Sequence, residues 1–307
     1  MATDHVAALL EFAELAEACG RYSDMLGAAV AAANLSCGAD APAAPASSPW
    51  RSLLPVRGRS MSGLTERVPT ARCISLLARA AKLAVSTTRG PLRMLDVLND
   101  HEPDERLRSI ALGYRAVLAR EAAGSREEVV QCLEAVVLPT LEAAADDDSG
   151  SDDGTGRGLP AAGAQPRDSV LRCTVSACRL LGDAYRYAAE AAGPGTPAAS
   201  EAGAVALSQY SKAQQLAARG LPAWSPVRLA ASLNLSVFLF ERHGDEAGAA
   251  RVAKEAVDAG SCAPASAAEA EAEGGEAAEA ESARLLGLLR ENLEAWRRVL
   301  RVDRLVV

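Results

Sequence analysis

Leu180 to Glu190 reads LLGDAYRYAAE, with Arg186 set between Tyr185 and Tyr187 in an alanine-rich run. Ala, Leu, Arg and Glu are strong helix formers, so the stretch is expected to be helical. The question it raises is chemical. An acidic chain with five tyrosines places two of them around one arginine. One answer is a solvated helix face with two half-buried rings. The other is a cation held ready for an anion.

The same composition runs through the whole chain. Its 307 residues are 49% hydrophobic but 4% aromatic, so Leu, Val and Ala must fill the core. Period-two runs of β-branched residues are nearly absent, which predicts an all-α fold. The length suffices for one large or two ordinary domains. A formal net charge of −8 argues against general binding to nucleic acid or to anionic membranes. No apolar run approaches the ~20 residues that a membrane span needs. The opening MATDHVAALLEFAELAEACG mixes Asp, His and Glu into its apolar pattern, unlike a signal or transit peptide. The expected location is the cytoplasm, with the nucleus second. Seven cysteines, Cys19, Cys37, Cys73, Cys132, Cys173, Cys178 and Cys262, include no CxxC pair. The spacing of Cys173 and Cys178 is not a common zinc pattern, so reduced, partly buried thiols are expected, with no metal and no cofactor.

Punctuation by Pro, Gly and Ser divides the chain. Helices are expected over 3–19 and 21–34, the first with Val6, Leu9, Leu10, Ala13 and Leu15 near one face. Residues 36–63 read as an irregular, mobile insertion, mildly basic through Arg51, Arg57 and Arg59. A long helix from Pro69 to Asn99 follows, then a break at Asp100–Asp104 and a helix that Leu138-Pro139-Thr140 ends. The Asp-, Gly- and Ser-rich run 146–168 cannot bury enough apolar surface to order itself. Helices resume over 168–192, 200–219, 226–243 and 245–260. The Ala/Glu tract 263–282 is expected to be mainly a loop before a last helix from Ala283 to about Val302. Short links between long helices imply antiparallel neighbours. His5 falls in a fraying terminus, and His101 and His243 fall at helix junctions.

Charge placement is less ordinary. From Arg67 to Leu95 there is no Asp or Glu, yet the window holds Arg67, Arg72, Arg79, Lys82, Arg89 and Arg93. A solvated helix face normally interleaves both signs. Lys82 and Arg89 are nearly two turns apart and share a face, which Arg93 continues. Arg179 and Arg186 repeat that spacing, as do Asn234 and Glu241, with Val237 on the same side. Leu288, Asn292 and Trp296 form an i, i+4, i+8 row. Periodicity leaves two readings open: stripes that line one groove, or surface charges with helix-packing amides.

Four segments, RYSDM (21–25), LLGDAYRYAAE (180–190), SPVRLAASLNLSVFLFE (225–241) and LLRENLEAW (288–296), stand at compatible distances once three insertions are allowed, 36–66, 143–167 and 263–281. Together they resemble the signature segments of the 14-3-3 family. The resemblance implies one domain over 1–307, with nine antiparallel helices forming a cup-shaped subunit and a concave amphipathic groove. It implies a homodimer, or a heterodimer with related subunits. It further implies an adaptor in signalling that binds phosphoserine or phosphothreonine segments of phosphorylated client proteins and masks, clamps or relocates them, without catalysis. Carried over residue by residue, the phosphate pocket would be Lys82, Arg89 and Arg186 with the Tyr187 hydroxyl. Asn234 and Asn292 would hold the peptide backbone, and Arg179 stands where the family has a lysine. Leu233, Val237, Leu288 and Trp296 would form an apolar wall, and Glu241 would help orient the cations. Leu15, Cys19, Leu95, Leu98 and Tyr114 would line the dimer interface, with Arg21 and Glu121 as an ion pair. Arginine suits such a pocket because its planar donors fit phosphate oxygens and it stays charged at cellular pH.

The chain also departs from that pattern. Gly90-Pro91 directly follows Arg89, and proline inside a helix removes a backbone hydrogen bond. Arg79 and Ala295 stand where the family has apolar groove residues, which predicts a more basic, shallower groove. Val117 replaces a lysine that would pair with Asp24. Two rival readings remain. A tetratricopeptide-like scaffold would bind partners without phosphate, but the 34-residue repeat it requires is not found. An enzyme would need a nucleophile with its base, a metal cluster or a Gly-rich phosphate loop, and no such motif is present.

Overall fold

The computed structural model describes residues 2–41, 47–55, 69–147, 167–261 and 275–306, and every regular element among them is helical. Counting each π-helical turn with the helix it prolongs, these residues hold nine helices. They are α1 (Ala2–Ala18), α2 (Tyr22–Ser36), α3 (Ala71–His101) and α4, whose Glu105–Cys132 runs through a π turn, Leu133–Val137, into Leu138–Asp147. Then come α5 (Arg167–Ala192), α6 (Pro197–Gly220), α7 (Pro226–Phe238, prolonged by the π turn Leu239–His243), α8 (Glu246–Gly260) and α9 (Gly275–Val306). The expected disorder over 146–168 falls, between 148 and 166, outside the described residues, as do Arg57, Arg59, Arg67 and Cys262.

The helices start where side chains satisfy backbone donors that have no partner within the helix. The Thr70 hydroxyl accepts from the Cys73 N–H, Asp104 from Arg106 and Leu107, Thr196 from Ala199, and Asp245 from Gly248. Pro197 and Pro226 sit in the first turn of α6 and α7, where a missing N–H costs nothing. The π turn that ends α7 is closed by Gly244 at φ 71°, a left-handed conformation that glycine adopts without strain.

Contacts gather into two compact units, Met1–Cys173 and Thr174–Val307, with the boundary inside α5. In the first unit α1 packs on α2, α2 on α3 and α3 on α4. Its core includes Leu9, Met25, Leu26, Ile74, Leu77, Leu133 and Leu141. The six described cysteines are free thiols. Burial pushes Cys73 and Cys132 up to about 12 and Cys37 and Cys173 to about 11, so these four stay protonated at neutral pH. In the second unit α6 packs on α7, α7 on α8, and α9 on both α7 and α8. Tyr210, Leu229, Phe238, Leu285, Leu289 and Trp296 belong to its core. Fully burying a leucine such as Leu229 or Leu289 contributes about 1.5–3 kcal/mol.

Five sequence expectations are corrected here. The helix does not end at Leu138-Pro139-Thr140. Pro139 has no N–H to donate, but the π turn just before it relaxes the backbone, and the Thr140 hydroxyl donates to the Val136 carbonyl at 2.7 Å. The last helix begins at Gly275, not Ala283, because Ala278 and Ser282 are buried and Ser282 Oγ donates to the Trp224 carbonyl at 2.8 Å. Leu15 lies off the buried face of α1, which is Leu9, Leu10, Ala13 and Ala16; it is 61% exposed. His5 is not frayed, since its Nδ1 lies 2.8 Å from the Leu53 carbonyl oxygen.

Finally, the insertion after α2 is not wholly irregular: Pro49–Leu53 forms a 3-10 turn that buries Trp50. Gly27 makes room for that ring, because a Cβ there would sit 2.8 Å from Trp50 Cζ2. Gly27→Ala is therefore expected to destabilise the first unit by about 1–3 kcal/mol, the usual cost of overpacking. Chemical denaturation checks this, and an unchanged midpoint would contradict the contact.

Candidate functional site

The site in the second unit is built around one missing side chain. Gly182 has no Cβ; one placed there would lie 2.7 Å from Tyr210 Cε1, so the tyrosine ring rests directly on the backbone of α5. The ring is buried and packs against Phe238, centroid to centroid 5.4 Å. This seats the Tyr210 hydroxyl beside Asp183, to which it donates at 2.7 Å. Arg186, one turn further along α5, donates from Nε to the same hydroxyl at 3.3 Å and from Nη2 to Asp183 Oδ1 at 3.3 Å. Asn234 of α7 donates from Nδ2 to Asp183 Oδ2 at 3.4 Å. The guanidinium carbon lies 4.1 Å from the centre of the Tyr187 ring, which supplies a cation–π contact.

The electrostatics follow from burial and these partners. Burial opposes the charge on Arg186, but Tyr210, Tyr187 and Asp183 outweigh it and its pKa shifts upward. Burial also pushes the Tyr210 phenol up, and the Asp183 charge reinforces the shift. Arg186 is thus a permanent cation and Tyr210 a permanent neutral donor. One pocket is lined by Asp183, Arg186, Tyr210, Leu233, Asn234, Val237, Phe238, Leu288 and Asn292. Apolar residues stand beside a cation and two amides, so it is amphipathic.

Six expected residues therefore meet at one place: Arg186, Leu233, Asn234, Val237, Leu288 and Asn292. The other expected residues of this unit are not among the lining residues. Trp296, expected on the wall, is 6% exposed and stacks on Phe240 at 4.8 Å, so it serves the core. Glu241 is exposed in the π turn of α7, and Asp183 holds Arg186 instead. Arg179 is half-buried on α5. Its charge reaches Glu281, whose carboxyl is held below the usual range first by the Arg284 hydrogen bond. The Tyr187 ring carries the guanidinium of Arg186 and is not among the lining residues. Asp183, Tyr210 and Phe238 are lining residues that the sequence reading missed. Only Asp183 left a signal, its i, i+3 spacing to Arg186.

In the first unit, Lys82 is exposed and Arg89 half-buried on α3, which is helical through Pro91. Side-chain hydroxyls of Thr87 and Thr88 donate to carbonyls three residues back in the turn before it. Two cations of the acid-free window are neutralised from α1: Arg72 pairs with Glu14 at 3.0 Å and Arg79 with Glu17 at 3.1 Å. Arg79 therefore adds no unbalanced charge, contrary to the expectation of a more basic groove. Asp24 does not lack a partner, because Arg21 pairs with it within one turn of chain, and Arg21 thus has an ion pair other than Glu121. Cys19, Arg21, Leu98, Tyr114 and Glu121 are exposed, and Leu95 is half-buried. Among the described residues no group of three or more His, Cys, Asp and Glu could hold a metal ion, and no helix is long and apolar enough to cross a membrane.

Residues 167–297, which run from the start of α5 into α9 and include every residue of the pocket, match the family model described as 14-3-3 protein. The chain is 31% identical over 185 residues to 14-3-3 protein homolog 1 of Schistosoma mansoni, covering 60% of this chain and 62% of that protein. These matches support a divergent member of the 14-3-3 family. It is also 33% identical over 132 residues to the 14-3-3-like protein GF14 epsilon of Arabidopsis thaliana, covering 43% of this chain and 48% of that one. With 14-3-3-like protein A of Hordeum vulgare it shares 35% over 133 residues, 43% of this chain and 47% of the relative. The chain thus matches between about half and 62% of the length of these 14-3-3 relatives. The nine helices among the described residues agree with the all-α 14-3-3 fold.

Proposed function

We propose that this 14-3-3 family member binds phosphoserine- or phosphothreonine-containing segments of other proteins and acts on them as an adaptor, by masking, clamping or relocating them. The observation that carries the reading is Arg186 in its amphipathic pocket. Of its five N–H donors, one is given to Tyr210 and one to Asp183, which leaves three for an anion. Asn234 and Asn292 at the same pocket are suited to a peptide backbone, and Leu233, Val237 and Leu288 to its apolar side chains. From the family resemblance we also assign Lys82, Arg89 and Tyr187 to phosphate binding. The chemistry is binding rather than catalysis, in a cytoplasmic setting.

Each charge-assisted hydrogen bond is worth roughly 1.5–3 kcal/mol. Two or three of them favour the phosphorylated form by at least about a hundredfold. Fluorescence anisotropy with an Arg-x-x-phosphoserine-x-Pro peptide and its unmodified form tests the reading. Equal affinity for the two would defeat it and would favour a scaffold indifferent to phosphorylation.

We also propose a dimer through α1, α3 and α4. Between Val85 and Glu128 no residue is buried, although Met94, Val97, Leu98, Leu107, Ile110, Tyr114 and Val117 are all large and apolar. Helices are stabilised chiefly by packing an apolar face, and among the described residues this pair leaves such a face exposed. Leu98→Asp combined with Tyr114→Asp is expected to halve the particle mass in sedimentation velocity. An unchanged mass would contradict the assignment.

A further inference from the structure

The pocket contains a hydroxyl that the family resemblance did not assign. We propose that Tyr210 is a positioning residue for the anion site: with Asp183 it locks Arg186 before any ligand arrives. This rests on the phosphopeptide reading and deepens it.

The polarity of the network is forced by the groups themselves. Arginine can only donate and a carboxylate can only accept. The single Tyr210 proton therefore goes to Asp183, at 2.7 Å, and its oxygen receives the Arg186 Nε–H, at 3.3 Å. Arg186 Nη2 closes the triangle on Asp183 Oδ1, at 3.3 Å. Two donors on one edge of the guanidinium are thus held by two groups that cannot move independently. The tyrosine ring is fixed by Gly182 on one side and Phe238 on another, and it is 1% exposed. Asp183 is fixed in turn by Asn234 Nδ2 on its second oxygen, at 3.4 Å. The Tyr187 ring meets the guanidinium at 4.1 Å. A long arginine side chain otherwise loses up to about 2 kcal/mol of rotamer entropy when it is ordered. Here that ordering belongs to the empty protein, so the anion does not have to supply it.

Tyr210→Phe tests the idea, since phenylalanine keeps the ring on Gly182 and against Phe238 and removes only the oxygen. In protein with 15N-labelled arginine, the Arg186 Nε–H signal is assigned by its absence from Arg186→Ala. It should be protected from water exchange in the free wild type and lose that protection in Tyr210→Phe. Affinity for the phosphorylated peptide should fall about tenfold, with affinity for the unmodified peptide unchanged. A folded Tyr210→Phe with wild-type phosphopeptide affinity overturns the proposal, and so does an equal loss for both peptides, which would mark a general structural role. Should Tyr210→Phe fail to fold, the wild-type signal decides alone, and rapid exchange of the Arg186 Nε–H overturns the lock. If the wild type shows no preference for the phosphorylated peptide, the phosphopeptide reading fails while the exchange measurement still reports on the lock.

Discussion

Arg186→Ala is expected to weaken phosphopeptide binding by at least about a hundredfold, because two or three charge-assisted hydrogen bonds of roughly 1.5–3 kcal/mol each are removed together. The fold should survive. Asp183 keeps the Tyr210 hydroxyl and the Asn234 amide as donors. Its side chain is 29% exposed, so water reaches the vacated position. The cost in stability is expected to be about 1–3 kcal/mol, since two hydrogen bonds of the guanidinium are lost at a partly exposed site. Arg186→Lys should recover part of the loss, since an ammonium keeps the charge but not the planar fork. Anisotropy titrations beside a thermal melt check both halves. A variant that melts like the wild type and binds the phosphopeptide as well would contradict the role given to Arg186. Arg89→Ala carries the same expectation for the assignment made from resemblance.

Trp296→Ala separates core from groove. In the sequence this tryptophan falls in a row with Leu288 and Asn292, which made it a candidate for the peptide wall. It is 6% exposed, stacks on Phe240 at an interplanar angle of 16°, and belongs to the cluster that holds α7, α8 and α9 together. Truncating a buried tryptophan leaves a cavity that closes only in part, and the cost is about 3–5 kcal/mol. The second unit should lose roughly 10 °C or more in its melting midpoint. A midpoint within two or three degrees of wild type, with peptide affinity lost instead, would return Trp296 to the groove.

The helices were legible because their punctuation is chemical and local. Thr70, Asp104, Thr196 and Asp245 cap helices, and Pro197 and Pro226 open them. What escaped depends on compensation further away. Pro139 reads as a stop, and only the π turn before it lets α4 continue. Trp50 lies in a Pro- and Ser-rich stretch and finds its place on Gly27, 23 positions earlier in the chain. The Ala/Glu tract lacks a large apolar face, yet Ala278 and Ser282 are buried and Ser282 bonds the Trp224 carbonyl 58 residues earlier.

The candidate site divides in the same way. Arg186, Leu233, Asn234, Val237, Leu288 and Asn292 announce themselves by periodicity and by the family segments, and they line one pocket. Tyr210 gives no local sign, because its partners Arg186 and Asp183 lie 24 and 27 residues away. Asp183 stood in view, three residues before Arg186, and reads as ordinary helix-surface charge until the Tyr210 contact is known. The i, i+4, i+8 row on α9 cannot distinguish a groove wall from a core, since both demand the same spacing.

The most direct measurement is a pair of calorimetric titrations of the wild-type protein, with one peptide carrying phosphoserine and the other serine at the same position. If the pocket around Arg186 is an anion receptor, the phosphorylated peptide should bind at least about a hundredfold more tightly. Dissociation constants that agree within a factor of two would show that the pocket does not recognise phosphate.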